Sequence, residues 1–383
     1  MGAGCVIILI PLTRFFWDPI SVLILLISGF SVFNLVAFRN IAAAQVFPDL
    51  EKPYLLIGFA VLMIASAALS IPSLISKQQI LFMLSVPALF IAVRQLADPF
   101  KRRLSDAVCW TVGITALLYL TASAAGGRIS SVERTELFVN DNVIASFIAA
   151  GVFFGFDRFK DSKIAAGILI LLCTAVLFIA QSALAIFSIG LAFFIIMRKS
   201  KPLLAVLTLV PLVIFGAWIF IQNPWLKDSI ANRLSWWTNC VKMILHAPWL
   251  GFGPGSFEQG VLPFTSPGLK SAFAHNFILQ EAAEIGIPAL LLLLGMIKKI
   301  ISKIENPCLL GAVLTLLIHG LADFNLNIPG IFLFLILTSA LGSKPWASKP
   351  PPLLKMQSRI IFSLIFILST LMAGLGGLWL VKT

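Results

Sequence analysis

Apolar runs long enough to cross a bilayer follow one another along most of this 383-residue chain, and that succession limits the fold more than any motif does. A spanning helix needs about 20 consecutive apolar residues. Candidate spans lie near residues 1–17, 20–38, 54–75, 79–97, 104–125, 139–157, 163–180, 182–197, 202–221, 283–298, 308–324, 327–343 and 359–380. Inside hydrocarbon every backbone N–H and C=O must be satisfied within its own segment or in a closed barrel, and barrels need alternating rather than continuous apolar residues. The sequence therefore predicts an all-α polytopic transmembrane helix bundle of about 12–13 spans, forming one integral membrane domain over residues 1–383. The stretch from Lys163 to Met197 is too long for one crossing, and Gln181-Ser182 near its middle marks a tight turn between two.

Hydrophobic residues make up 59% of the chain and charged residues 11%, which excludes a water-soluble fold of this length because its surface could not be covered with polar groups. A formal net charge of +12 would suggest a nucleic-acid partner in a soluble protein. Here the basic residues sit in short links between apolar runs, as membrane orientation requires, so the expected partner is the lipid bilayer and not nucleic acid. Placing the one long polar segment, residues 222–282, outside leaves most of the 28 Lys and Arg inside. The shorter loop 126–138 is then external too, as are His246, His275 and His319. The first apolar run, Gly2 to Leu12, has no basic leader and no small-residue cleavage site, and reads as a retained span. Five cysteines show neither a disulfide framework nor zinc spacing.

The chemistry-bearing residues concentrate on that external side. Trp225, Trp236 and Trp237 suggest an interfacial helix lying flat on the membrane. Arg233 is the only arginine of the long loop. Its planar fork of donors suits a phosphate, whether of a substrate or of a lipid headgroup. Gly251, Gly253 and Gly255 are not a dinucleotide fingerprint, because no strand precedes them. With Pro254 they make an open turn, either to bring backbone amides to a phosphate or sugar or simply to turn the chain. His275 and Asn276 stand at the outer end of an apolar helix, with Glu281 and Glu284 deeper. A neutral imidazole there can take a proton from a hydroxyl near neutral pH, or can merely cap the helix. Glu284 can orient the histidine, bond a sugar or pair with a neighbouring helix. Arg128 and Arg134 on the shorter loop face the same compartment. His319, Asp323, Asn325 and Asn327 read as satisfied polar groups at helix ends. Widely spaced histidines without paired acids give no metal site, no cofactor is called for, and no nucleophile elbow is present.

At these residues the sequence resembles the O-antigen ligase and polymerase family. Its members carry an Arg and Trp segment, then His-x-Pro with a Gly-x-Gly-x-Gly-x-Phe turn, then Ala-His-Asn-x-x-Leu-Gln followed by Glu-x-Gly. Arg233 and Trp237, His246 and Pro248, Gly251 through Phe257, His275 through Gln280, and Glu284 with Gly286 occupy those places in order. The likeness extends more loosely to Arg134, Phe138, Asn140 and Asn142 upstream and to His319, Asp323 and Phe324 downstream. Asp141 stands where the family often has Pro, and Gln181-Ser182-Ala183-Leu184 where it often has Ser-Arg-Gly, so one basic residue of the family pattern is missing.

The resemblance implies metal-independent transfer of a glycan from an undecaprenyl diphosphate-linked donor to an acceptor hydroxyl, at the periplasmic face of the bacterial inner membrane. His275 would be the general base and Arg233 would stabilise the departing diphosphate. Arg134, Arg128, His246, Asn276 and Glu284 would bind substrate. The acceptor would be the lipid A core in a ligase, which the lack of an appended soluble domain favours, another lipid-linked glycan in a polymerase, or a protein hydroxyl. A transporter would instead carry polar residues at mid-membrane. A non-catalytic assembly partner is the remaining alternative, in keeping with the missing arginine.

Overall fold

The computed structural model of the protein describes residues 54–69, 98–124, 140–222, 225–266 and 271–344, with positions 83, 90, 93, 94, 96 and 269. The spans expected near 1–17, 20–38 and 359–380, most of that near 79–97, and the loop 126–138 with Arg128 and Arg134 lie outside these residues. Among the described residues the chain is helical, with an isolated bridge between Ile304 and Ser343 in place of any strand. The helices are α1 (Tyr54–Leu69), α2 (Asp98–Ala124), α3 (Asp141–Arg158), α4 (Lys163–Ala180), α5 (Ala183–Met197), α6 (Pro202–Gln222), α7 (Trp225–His246), the single turn α8 (Phe257–Gly260), α9 (Phe277–Ile301), α10 (Pro307–His319) and α11 (Pro329–Gly342). Helices α2, α4 and α9 are long and apolar enough to cross a membrane, and α1, α5, α10 and α11 contribute shorter apolar helices.

Local chemistry sets the boundaries. Asn140 caps α3 by accepting the Asn142 N–H, and Ser162 caps α4 by accepting that of Ala165. The 163–197 run divides as its sequence predicts: Gln181 ends α4 in the left-handed region at φ 48°, and Ser182 caps α5. Helix α2 starts at Asp98, earlier than hydropathy alone suggests. Its polar first turns are held by Arg102 pairing with Asp161 at 2.7 Å and Asp106 with Arg158 at 2.8 Å, across the α3–α4 link.

Helix α3 is the centre of the bundle, buried from Val143 to Gly155 and packed against α2, α4, α5 and α10. Phe334 of α11 seals its flank, with its ring 4.7 Å from that of Phe147 and 5.8 Å from that of Phe154. Trp110 of α2, Ile164 and Leu171 of α4 and Ile221 of α6 point outward, as a hydrocarbon solvent demands.

One irregularity positions everything on the loop side. Helix α9 breaks at Gly286, whose φ of 80° and ψ of 163° are far from helical. Pro288 has no N–H to return to the Glu284 carbonyl, so the ladder is open there. The turn after α7 fills the gap. Phe252 N–H donates to Ala283 O at 3.0 Å, Gly253 N–H to Glu284 O at 2.8 Å, and Ile287 N–H to Pro248 O at 2.9 Å. The two backbones lie so close that a Cβ on Gly251 would come within 2.3 Å of Glu284 O, and one on Gly286 within 2.3 Å of Trp249 O. With φ of 66° and 80° at these two positions, only glycine fits either.

Candidate functional site

Helix α9 begins at Asn276, whose side chain accepts the Leu279 N–H at 3.0 Å and donates to Leu321 O at 2.8 Å. Phe277 N–H donates to Gly320 O at 2.9 Å, tying the start of α9 to the end of α10. Asn276 is thus a cap and a clamp. His275, immediately before it, sits at φ 54°, a left-handed conformation that a non-glycine residue holds only where its surroundings impose it. The Trp237 indole N–H donates to the His275 carbonyl at 3.3 Å. The Trp236 ring stacks on the imidazole at 4.7 Å and 14°, and Phe324 meets it edge-on at 4.8 Å. Trp236 and Trp237 of α7 therefore both turn toward His275.

Asp323 organises the site. It lies in the turn between α10 and α11, with its side chain 1% exposed. One carboxylate oxygen is 3.3 Å from His275 Nδ1 and the other 3.3 Å from Arg233 Nη2. Burial by itself pushes this carboxyl up. The contact from His275 and the nearby charges of His319, His275 and Arg233 outweigh it and hold Asp323 below the usual carboxylate value. Arg233 also donates from Nε to Ala322 O at 3.0 Å and from Nη1 to Ser229 Oγ, which leaves an N–H on each terminal nitrogen for an incoming anion. His319, fully buried on the last turn of α10, adds a second imidazole beside the same carboxylate.

This arrangement supplies a proton acceptor oriented by a carboxylate and, on the same carboxylate, a planar cation suited to phosphate oxygens. Among the described residues no three His, Cys, Asp or Glu side chains are placed to hold a metal.

The remaining sequence candidates lie elsewhere. His246 ends α7, about 20 Å along the helix from Arg233 at 1.5 Å per residue. It is exposed and packs near the rings of Phe252 and Phe264. Glu284 is 1% exposed and forms a second, separate cluster. Its carboxylate accepts the Gly255 N–H at 2.6 Å, the Phe257 N–H at 3.1 Å and the Gln280 amide at 3.0 Å, while Gln280 accepts the Ala274 N–H. The glycine turn is therefore not an open cradle for phosphate: its amides at 252, 253, 255 and 257 are all spent on α9. Asp323, which the sequence reads as a satisfied helix-end polar group, is the residue whose place in the site sequence reasoning missed. The signal available was a carboxylate in a short polar link, His-Gly-Leu-Ala-Asp-Phe-Asn, between two apolar runs facing the compartment of His275.

Residues 166–294 match the family model for O-antigen ligase. The matched stretch holds Arg233, the glycine turn, His275 and Glu284, and ends before Asp323. No curated protein matches the chain.

Proposed function

We propose that this chain, whose residues 166–294 match the family model for O-antigen ligase, is a membrane-integral glycan transferase that moves a glycan from undecaprenyl diphosphate to an acceptor hydroxyl on the lipid A core, at the periplasmic face of the inner membrane. The observation that carries this reading is the shared carboxylate: one Asp323 oxygen lies 3.3 Å from His275 Nδ1 and the other 3.3 Å from Arg233 Nη2.

In the proposed reaction the acceptor O–H gives its proton to His275 Nε2 as its oxygen attacks the anomeric carbon. The bond from that carbon to the diphosphate oxygen breaks, and the electron pair leaves with the lipid diphosphate. Asp323, with a carboxylate oxygen 3.3 Å from Nδ1, faces the imidazole and steadies the imidazolium that forms. Arg233 meets the growing negative charge through its two free N–H groups. Such pre-placed donors act most strongly where water is scarce, as beneath the rings of Trp236 and Phe324. Arg134 or Arg128 supplies a second cation from the loop 126–138. Asn276 acts by locking the backbone that carries His275, and Glu284 by shaping the turn below the site.

Cells lacking the protein, complemented with wild type or His275→Ala at matched expression, test this reading by gel mobility of the lipid A core. Long glycan on the core with wild type alone supports the ligase and the base. Full loading with His275→Ala removes the base assignment. Core loading that never depended on the protein, with loss of long polymer on the lipid carrier, makes the protein a polymerase of the same family.

A further inference from the structure

The sequence predicts that the whole of 222–282 lies outside the membrane, and one turn within it packs against the membrane-crossing helix α9. Lys298 and Lys299 occupy the last turn of α9. Hydrocarbon is about 30 Å thick, about 20 helical residues, so counting outward from these lysines brings the opposite boundary to the neighbourhood of Ile278, next to Asn276 and His275. The turn after α7 is bonded to α9 at Ala283, Glu284 and Ile287. At 1.5 Å per residue those bonds lie about 8–14 Å inside that boundary.

Irregular backbone at such depth is tolerated only when its polar groups are satisfied by protein, and this turn meets that condition. Besides the bonds to α9, Gly251 N–H donates to Ala247 O at 3.0 Å and Ser256 N–H to Gly253 O at 3.2 Å. Ser66 of α1 donates to Leu250 O at 2.6 Å and reaches Glu284 O at 3.3 Å. A carboxylate buried in an apolar helix is costly without partners, and Glu284 spends its oxygens on the turn's own amides.

The outer edge of the turn carries two uncovered apolar side chains, with exposed His246 between them. Trp249 is 74% exposed and Leu245, one turn before it, 76%. Because Ile287 N–H bonds Pro248 O, Trp249 sits beside the lipid-side face of α9, where Ile287 and Leu291 are also exposed. The exposed apolar side chains of the turn and of α9 are thus carried by backbone segments bonded to each other. Glu258 and Gln259 are exposed on the following helical turn, so water contact resumes there.

We propose that Ala247–Gly255 is a re-entrant element, with its Leu245 and Trp249 edge lying among lipid acyl chains of the leaflet on the side of the site. The inference is independent of which glycan or acceptor the protein uses.

Photo-crosslinking in native membranes tests it, with p-benzoylphenylalanine placed singly at Trp249, Leu245, Leu291 or Glu258 and adducts identified by intact mass. The expected result is phospholipid adduct at Trp249 and Leu245 at a level near that of Leu291 and at least five-fold above Glu258. Yield at Trp249 and Leu245 no higher than at Glu258, or adduct to another protein in place of lipid, overturns the proposal. Trp249→Leu and Trp249→Asp give a second reading free of the bulky probe. Immersion requires the leucine variant to keep wild-type yield in the membrane and the aspartate variant to lose most of it; equal yields overturn it.

Discussion

Two carboxylates, Asp323 and Glu284, are both about 1% exposed, yet their surroundings differ in kind. Glu284 is saturated by groups that do not ionise, two backbone amides and a side-chain amide, all from within the same fold unit. Asp323 accepts the Phe324 N–H at 2.7 Å and in addition faces two groups that can each reach beyond it, the imidazole of His275 and the guanidinium of Arg233, whose side chains are both 16% exposed. A closed set of bonds holds shape; a carboxylate whose partners keep free donors or lone pairs can hand charge to a substrate. Burial does not separate these roles, but the partners of each carboxylate do.

Substitutions at the two carboxylate clusters should therefore fail in opposite ways. The largest effect is expected at His275→Ala, with transfer falling by about 10³-fold, within the usual range for loss of a general base, while the thermal unfolding midpoint stays near wild type. Arg233→Lys comes next. A point charge cannot both pair with Asp323 and present a planar fork, and single-turnover transfer should fall by about 10²-fold with the bilayer yield retained. Glu284→Ala should invert the pattern. It strands the Gly255 and Phe257 amides at about 1–3 kcal/mol each, so the unfolding midpoint drops, while the rate per folded molecule is unchanged. A rate loss there without destabilisation would dissolve the distinction.

The smallest effect concerns pH. Asp323 is held below its usual value in the folded protein, so its stabilising contribution is complete above the unfolded value of about 3.8 and is lost as pH falls through the lower folded one. Comparing unfolding midpoints of wild type and Asp323→Asn between pH 3 and 7 should show the gap constant above about pH 5 and narrowing only below 4. A gap that narrows between pH 6 and 5 would mean that another group sets the charge of the cluster.

Much of the fold was legible from single residues. Continuous apolar runs dictated helices, and Gln181-Ser182 dictated the split of the 163–197 run, whereas α9 starts six residues before the span expected at 283–298. Within the site, His275 and Arg233 were legible because an imidazole at a helix entrance and a lone arginine in a long loop are unusual enough to need a reason. Their roles rest on the proposal above, and Arg128 and Arg134 lie outside the described residues.

What the sequence by itself determined is the class of the molecule: where hydrocarbon is the solvent, backbone satisfaction leaves the helix as the answer for these runs, whatever the tertiary contacts. Only the tertiary structure decided which polar groups meet. Asp323 is 48 residues from His275 and 90 from Arg233, and no local periodicity links them. Whether the glycine turn offered its amides to a ligand or spent them on α9 depended likewise on Gly286 and Pro288 opening the ladder at the matching height. Local propensity is set by neighbours along the chain, whereas a site is set by where separate elements dock, and docking is decided by the satisfaction of groups that the linear pattern does not pair.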